Sequence, residues 1–313
     1  MTSLQDKIAG GILGLLIGDA LGVPYEFHSS MDIPPLNEIE LEPPAYFRRS
    51  HDTVAPGVWS DDGAQALTLL ASLNNCGKLD LEDFGRRLIN WYEWGYMAVD
   101  NYVYDVGVQT SNAIGRLSAG IPPTESGPAS ETANGNGSLM RVLPLALWHL
   151  GSDEELVDDA HQQSIVTHGH MRSQVCCALY CLWARFILEE SNDPWDDAVS
   201  RLREIYGPET TAREELEWSI RPDDNVEVQG SGYVVDCLRS ARWALNAGDY
   251  EQVVKAAISL GRDTDTTACV AGGIAGLRDG LEAIPERWRL QLKGAELYEP
   301  ELEQLISRRV NRR

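Results

Sequence analysis

Two dense groups of oxygen donors stand out in the sequence, SDDG at 60–63 and GRDTDTT at 261–267. Each lies immediately before, or in the first turn of, an apolar helical pattern. Ordinary capping explains the first group taken alone, with Ser60 or Asp61 accepting from first-turn amides and Asp62 favouring the helix dipole. Capping explains one of Asp263, Thr264 and Asp265, but not a whole set entering a helix of small apolar residues. Unpaired carboxylates beside a core are costly, and a cation compensates them. The donors are hard oxygens, which suits Mg²⁺, Mn²⁺ or Ca²⁺ and disfavours zinc or copper. Glu26, in GDALGVPYEF, is a third acidic position. If the three meet, Glu26, Asp61, Asp62, Asp263 and Asp265 bring five negative charges, nearly balanced by two divalent cations. Such a pair would orient an oxygen-rich substrate and lower the pKa of a water.

The elements that must position these donors read as helices. Apolar residues recur at helical spacing, as at Leu67, Leu70 and Leu73 and at Val175, Leu179, Leu182 and Phe186, whereas strand-like alternation is almost absent. Further helices are expected near 82–94, 107–119, 138–150, 153–166, 194–206, 232–246, 249–260 and 265–280. The expected architecture is all-α, one compact multi-helix domain over 1–313, with proline-rich 28–58 and Gly/Pro/Ser/Asn-rich 120–137 as loops. Glycines 10, 14, 18 and 22 form one stripe, and Ala268, Gly272 and Gly276 another. Each helical Gly costs about 1 kcal/mol relative to Ala, so both stripes imply close, central backbone contacts, with one helix against the other.

Composition narrows the function. A chain of 313 residues, 43% hydrophobic, can bury a core, which excludes disorder. With 26 Lys plus Arg against 48 Asp plus Glu, the net charge of −22 repels nucleic acid, and no basic strip offsets it. Six cysteines without zinc-module spacing read as reduced core thiols of a cytoplasmic protein. The apolar N-terminal run is interrupted by glycines and carries Asp19, so neither a signal peptide nor a membrane span is expected.

Seven ordered blocks, GGILGLLIGDALGVPYEF, WSDDGAQAL, YDVGVQT, NGNGSLMRVLPLAL, THGHMRS, GSGYVVDCL and GRDTDTTACVAGGIAG, resemble the ADP-ribosylglycohydrolase family from residue 10 to 276. The resemblance implies an all-helical fold and a binuclear Mg²⁺ or Mn²⁺ site that cleaves the bond joining ADP-ribose to a side chain. Ser60, Asp61, Asp62, Asp263, Asp265 and Thr266 would then be metal ligands, and Glu26 a ligand or water-activating carboxylate. Glu26, Asp62 and Asp263 are the catalytic candidates.

The remaining blocks are assigned to substrate by the same resemblance. Asn136, Gly137, Ser138 and Met140 would line the ADP moiety, and glycines and amides before a helix at 138 suit a diphosphate. His168 would approach the adenosine or phosphate end, whereas His161 and His170 read as structural. Asp105 and Gly107 would lie beside the substrate ribose; the plainer reading of Asp105 is a helix N-cap. The run WYEWGY at 91–96 reads as core or pocket wall. Two departures stand out. Gly63 replaces the family's usual Thr, which would remove a hydroxyl that orients Asp62, and Arg262 is expected to pair with a carboxylate or reach substrate.

The expected activity is hydrolysis of the N-glycosidic bond between ADP-ribose and arginine on a modified protein, releasing ADP-ribose. The alternatives are another linkage (a serine O-glycoside, nucleic acid or a small conjugate) and a non-catalytic ADP-ribose binder.

Overall fold

The computed structural model describes residues 2–310. Its helices run α1 (Leu4–Gly22), α2 (Asp61–Cys76), α3 (Leu81–Trp94), α4 (Val108–Ser118), α5 (Pro123–Ser126), α6 (Leu143–Trp148), α7 (Asp153–Ile165) and α8 (Met171–Leu188). They continue as α9 (Pro194–Tyr206), α10 (Thr211–Glu214), α11 (Val234–Ala244), α12 (Tyr250–Ser259), α13 (Thr264–Asp279), α14 (Glu286–Arg289) and α15 (Ala295–Val310). Among the described residues no strand forms, and two isolated β-bridges, Ser29 with Gly261 and Gly135 with Tyr233, pin loops together. The all-α expectation holds.

The central contact is α1 lying antiparallel along α13, and the glycine stripes make it. A Cβ built on Gly10 would sit 2.2 Å from the Gly276 carbonyl oxygen. One on Gly14 would lie 2.5 Å from that of Gly272, and one on Gly18 2.2 Å from that of Ala268. No side chain fits between these backbones, so the helices touch main chain to main chain, closer than the usual 8–10 Å separation of packed helices permits. Tyr250, from α12, donates its hydroxyl to the Gly14 carbonyl at 2.8 Å and closes the side of the pair. α1 is long and apolar enough to cross a membrane, and here it is buried from Lys7 to Gly22.

Around this pair, Leu67, Leu69, Leu70 and Leu73 of α2 and Val175, Leu179 and Leu182 of α8 are fully buried. Cys176, Cys177, Cys181, Cys237 and Cys269 are unpaired and buried, and burial pushes their thiols up, as expected of inert core residues.

The helix expected over 138–150 is shorter, running only from Leu143 to Trp148. Pro144 has no N–H, and its ring clashes with the carbonyl four residues earlier, so a helix begins beside it but does not run through it. Residues 138–142 instead form turns, with the Leu139 and Met140 amides bonded to the Asn136 carbonyl.

Candidate metal and substrate site

The antiparallel pairing places the N-terminus of α13, with Asp263 and Asp265, beside the C-terminus of α1, from which Glu26 follows four residues on. Thr264 Oγ1 donates to the Gly22 carbonyl at 2.8 Å and locks the junction. α2 is tied to the same place by Asp19, fully buried in α1, whose carboxylate accepts the Ser60 amide at 2.9 Å and the Gly63 amide at 2.7 Å. The three acidic groups thereby meet.

Within the cluster, Ser60 caps α2, accepting from the Asp62 amide at 3.3 Å. Capping leaves the buried carboxylates of Asp61 and Asp62 to other work. Asp61 Oδ2 accepts from Gln65 Nε2 at 2.8 Å, and Gln65 in turn accepts from the buried guanidinium of Arg141 at 2.9 Å. Thr266 Oγ1 donates to Asp62 Oδ1 at 3.3 Å, and the Thr266 amide to Asp265 Oδ1 at 2.9 Å. Asp263 stands at the N-cap of α13 without capping it; its Oδ2 accepts from Asn136 Nδ2 at 2.9 Å. Ligand atoms of Glu26, Asp263 and Asp265 all lie within 4.8 Å of one another, and so do those of Glu26, His51 and Asp105.

Two oxygens decide what the cluster fits. Asp62 Oδ2 and Asp265 Oδ2 are buried and have no hydrogen-bond partner. Burial first, and the neighbouring carboxylates second, raise the pKa of Asp61, Asp62 and Asp265 well above the usual range and that of Glu26 to about 10. Unpartnered carboxylate oxygens among hard donors are what divalent cations coordinate, so the residues present fit such ions.

These residues open into a cavity of about 370 Å³, lined by Glu26, Asp61, Asp62, Asp105, Gly107, Asn136, Gly137, Met140, His168, Asp263 and Thr266, among others. His168 is buried, with Nδ1 2.8 Å from Thr167 Oγ1, and burial lowers its pKa to about 3, so it is a neutral ring at the wall. Gly137 permits that approach, because a Cβ there would meet the His168 ring at 2.9 Å. Asp105 lines the cavity and is not the N-cap of α4, a place taken by Gly107.

Several placements correct the sequence reading. Ser138 is fully buried, its hydroxyl accepting from Ser164 Oγ at 2.9 Å, so its side chain points into the core and not at the cavity. With 138–142 in turns, Asn136 and Gly137 belong to a loop rather than a helix N-terminus. The missing hydroxyl at Gly63 leaves no slack, since a Cβ there would already lie 2.8 Å from Leu16 and Trp59. Arg262 is exposed and its guanidinium bonds Gln229, not a carboxylate. Of the 91–96 run, Trp91 is core, Trp94 is exposed, and neither lines the cavity. His161 bonds the Tyr206 hydroxyl at 2.7 Å, and His170 caps α8, both structural as read.

Five functional neighbours escaped the sequence reading. Asp19 orients α2, and Gln65 with Arg141 braces Asp61. His51 Nε2 is hydrogen-bonded to Glu26 Oε2 at 2.7 Å. Gln109 bonds the Ala133 carbonyl at 3.1 Å and the Gly135 amide at 3.3 Å, holding the Asn136 loop. A buried Asp in a helix of Gly and Leu was the one available signal for Asp19; the other four carry no local signature.

Comparison with known proteins gives consistent results. The family model for ADP-ribosylglycohydrolase matches residues 1–313. ADP-ribosylarginine hydrolase Tri1 of Pseudomonas putida is 31% identical over 287 residues, covering 90% of this chain and 73% of that protein. ADP-ribosyl-[dinitrogen reductase] glycohydrolase of Rhodospirillum rubrum is 27% identical over 294 residues, 93% of this chain and 91% of its own. A solved ADP-ribosylglycohydrolase-related protein complex superposes with a TM-score of 0.76 at 29% identity, covering 98% of both chains.

Proposed function

The chain belongs to the ADP-ribosylglycohydrolase family, and from that premise we propose that it removes ADP-ribose from arginine side chains of modified proteins, using two divalent cations, Mg²⁺ or Mn²⁺. The observation that carries this reading is the pair of buried, unpartnered carboxylate oxygens, Asp62 Oδ2 and Asp265 Oδ2, in the acidic cluster whose members Glu26, Asp61, Asp62 and Asp263 line the cavity. The arginine linkage is supported by the similarity to the Pseudomonas hydrolase and the Rhodospirillum glycohydrolase.

In this mechanism Ser60, Asp61, Asp62, Asp263, Asp265 and Thr266 would hold the ions, which when bound would neutralise the carboxylates and polarise ribose hydroxyls and water. Asn136, Gly137 and Met140 position the ADP moiety, with His168 as a neutral wall. As the bond from the anomeric carbon to the guanidine nitrogen breaks, that nitrogen must gain a proton. Glu26, beside His51, supplies it, while Asp263 takes the proton of the incoming water, whose oxygen forms the new bond to the anomeric carbon. Asp62 and Asp263 keep that water on the face opposite the leaving group. We place the enzyme in the cytoplasm, a reading supported by its unpaired cysteines.

The test is release of ADP-ribose from arginine-linked and serine-linked substrates with Mg²⁺, Mn²⁺ or chelator, beside Asp265→Asn. Metal-dependent release from the arginine substrate supports the reading. Release from serine alone overturns the linkage, and binding of ADP-ribose without any release overturns the enzyme assignment.

A further inference from the structure

We infer that the aromatic ladder Phe27–His51–Tyr104–Tyr102, beside Glu26 and Asp105, receives the guanidinium-bearing side chain to which ADP-ribose is attached, an inference that rests on the arginine reading above. The ladder is continuous. The Phe27 and His51 rings are 5.7 Å apart, His51 and Tyr104 5.2 Å, and Tyr104 and Tyr102 are stacked at 5.7 Å. Its middle is fastened to the site, because His51 is hydrogen-bonded to Glu26 and Tyr104 immediately precedes Asp105.

The site therefore has two chemically different ends. Beyond Asp263 lies the amide end, where Asn136 bonds Asp263 and Gly137 packs on His168, suited to a nucleotide. On the other side of Glu26 lie Asp105, His51 and the ladder, carboxylates and aromatic faces without a lysine or arginine among them. A substrate whose anomeric carbon sits over the carboxylates and whose ADP occupies the amide end must lead its acceptor toward the ladder. A guanidinium is planar, weakly hydrated and cationic; it stacks on aromatic faces and pairs with carboxylates. A serine oxygen offers neither property.

Folding does not account for the outer rungs. Phe27 is 70% exposed and Tyr102 52% exposed, so neither fills the core. Phe27 also adopts φ 63°, a left-handed conformation that Gly or Asn would take at less cost. It is held there by two backbone bonds of 2.6 Å, from its own amide to the Arg262 carbonyl and from the Arg262 amide to the His28 carbonyl. A large apolar residue presented to solvent in a costly conformation, next to carboxylates, is accounted for by a cationic ligand.

The test compares the full-length protein with Phe27→Ala, Tyr102→Ala, the double variant and Phe27→Trp. KM and kcat are measured on arginine-linked and serine-linked ADP-ribosyl substrates, and Kd on free ADP-ribose. Each alanine is expected to raise KM for the arginine substrate about three- to fivefold, the size of an exposed cation–aromatic contact, with kcat changed less than twofold and the ADP-ribose Kd unchanged. Phe27→Trp should restore KM. An unchanged KM in the double variant overturns the inference, as does an equal weakening toward free ADP-ribose, which would put the ladder on the nucleotide side. A wild type inactive on the arginine linkage removes the functional reading and this inference with it, and is told apart by failing before any variant is made.

Discussion

The Asp19 carboxylate and the Gly63 amide are 2.7 Å apart across two helices, and the same carboxylate takes the Ser60 amide. One buried side chain of α1 thus satisfies two first-turn donors of α2, fixing how Asp61 and Asp62 enter the site. The contact also gives Gly63 a role: its amide is used, and its missing side chain makes room for Leu16 and Trp59.

Asp19→Asn should therefore fold but lose the register of α2. The amide can accept one of the two N–H groups, and its own NH₂ then confronts the other, which costs about 1–3 kcal/mol. Mn²⁺ affinity, followed by calorimetry, is expected to fall about 10–100-fold. Wild-type Mn²⁺ affinity in the variant would show that Asp19 serves folding alone.

Asp265→Asn separates charge repulsion from metal binding. Removing one of several crowded buried carboxylates should leave the metal-free protein as stable as wild type or more so. Wild type should gain about 2.7 kcal/mol at a metal concentration 100 times its Kd, and the variant should gain almost none. A variant with the full metal-induced rise in Tm would refute Asp265 as a ligand.

Glu26→Gln tests the proton path. Turnover is expected to drop about 10²–10⁴-fold, while Mn²⁺ affinity changes less than tenfold. Turnover near wild type would move the proton to one of the aspartates.

Gly18→Ala probes one of the close backbone approaches of the helix pair. The added methyl would sit 2.2 Å from the Ala268 carbonyl oxygen, so α1 must move away from α13. Urea unfolding should show a net loss of about 1–3 kcal/mol despite alanine's better helix propensity. Unchanged stability would mean that the two backbones do not touch.

His149 predicts the direction of one pH effect. Its Nδ1 accepts from the Arg185 guanidinium at 2.9 Å and from the Gly151 amide at 3.2 Å, with Asp159 3.6 Å from Nε2. Burial, then Arg185, lowers its pKa to about 4, below the unfolded value of 6.5, with Glu155 opposing and Arg308 and Arg309 reinforcing the shift. The unfolded chain therefore binds this proton first. The stability it contributes is complete above pH 6.5 and declines as the pH falls toward 4, by at most about 1.4 kcal/mol per pH unit. His149→Gln should flatten the Tm profile in that window; an identical profile would contradict the assignment.

Much of the site was legible in the residues because its signals are local. Ser60, Asp61 and Asp62 are contiguous, Asp263, Asp265 and Thr266 fall within four residues, and a Gly every fourth residue reports a helix face whatever it meets. Ser138 was misplaced for the same reason. The run from Asn136 to Met140 looks uniform in sequence, but its turns send one side chain to the cavity and the next into the core.

By itself, the sequence determined the donor types, the helical periodicity and the pair of glycine stripes, all encoded within a few residues along the chain. Tertiary structure alone decided which carboxylate oxygens lack partners, that Asp19 orients α2, that His51 holds Glu26 and that four rings line up beside Glu26. Those facts depend on residues 25 to 204 positions apart, such as His51 with Glu26 and Thr266 with Asp62, brought together by packing that leaves no mark on local composition.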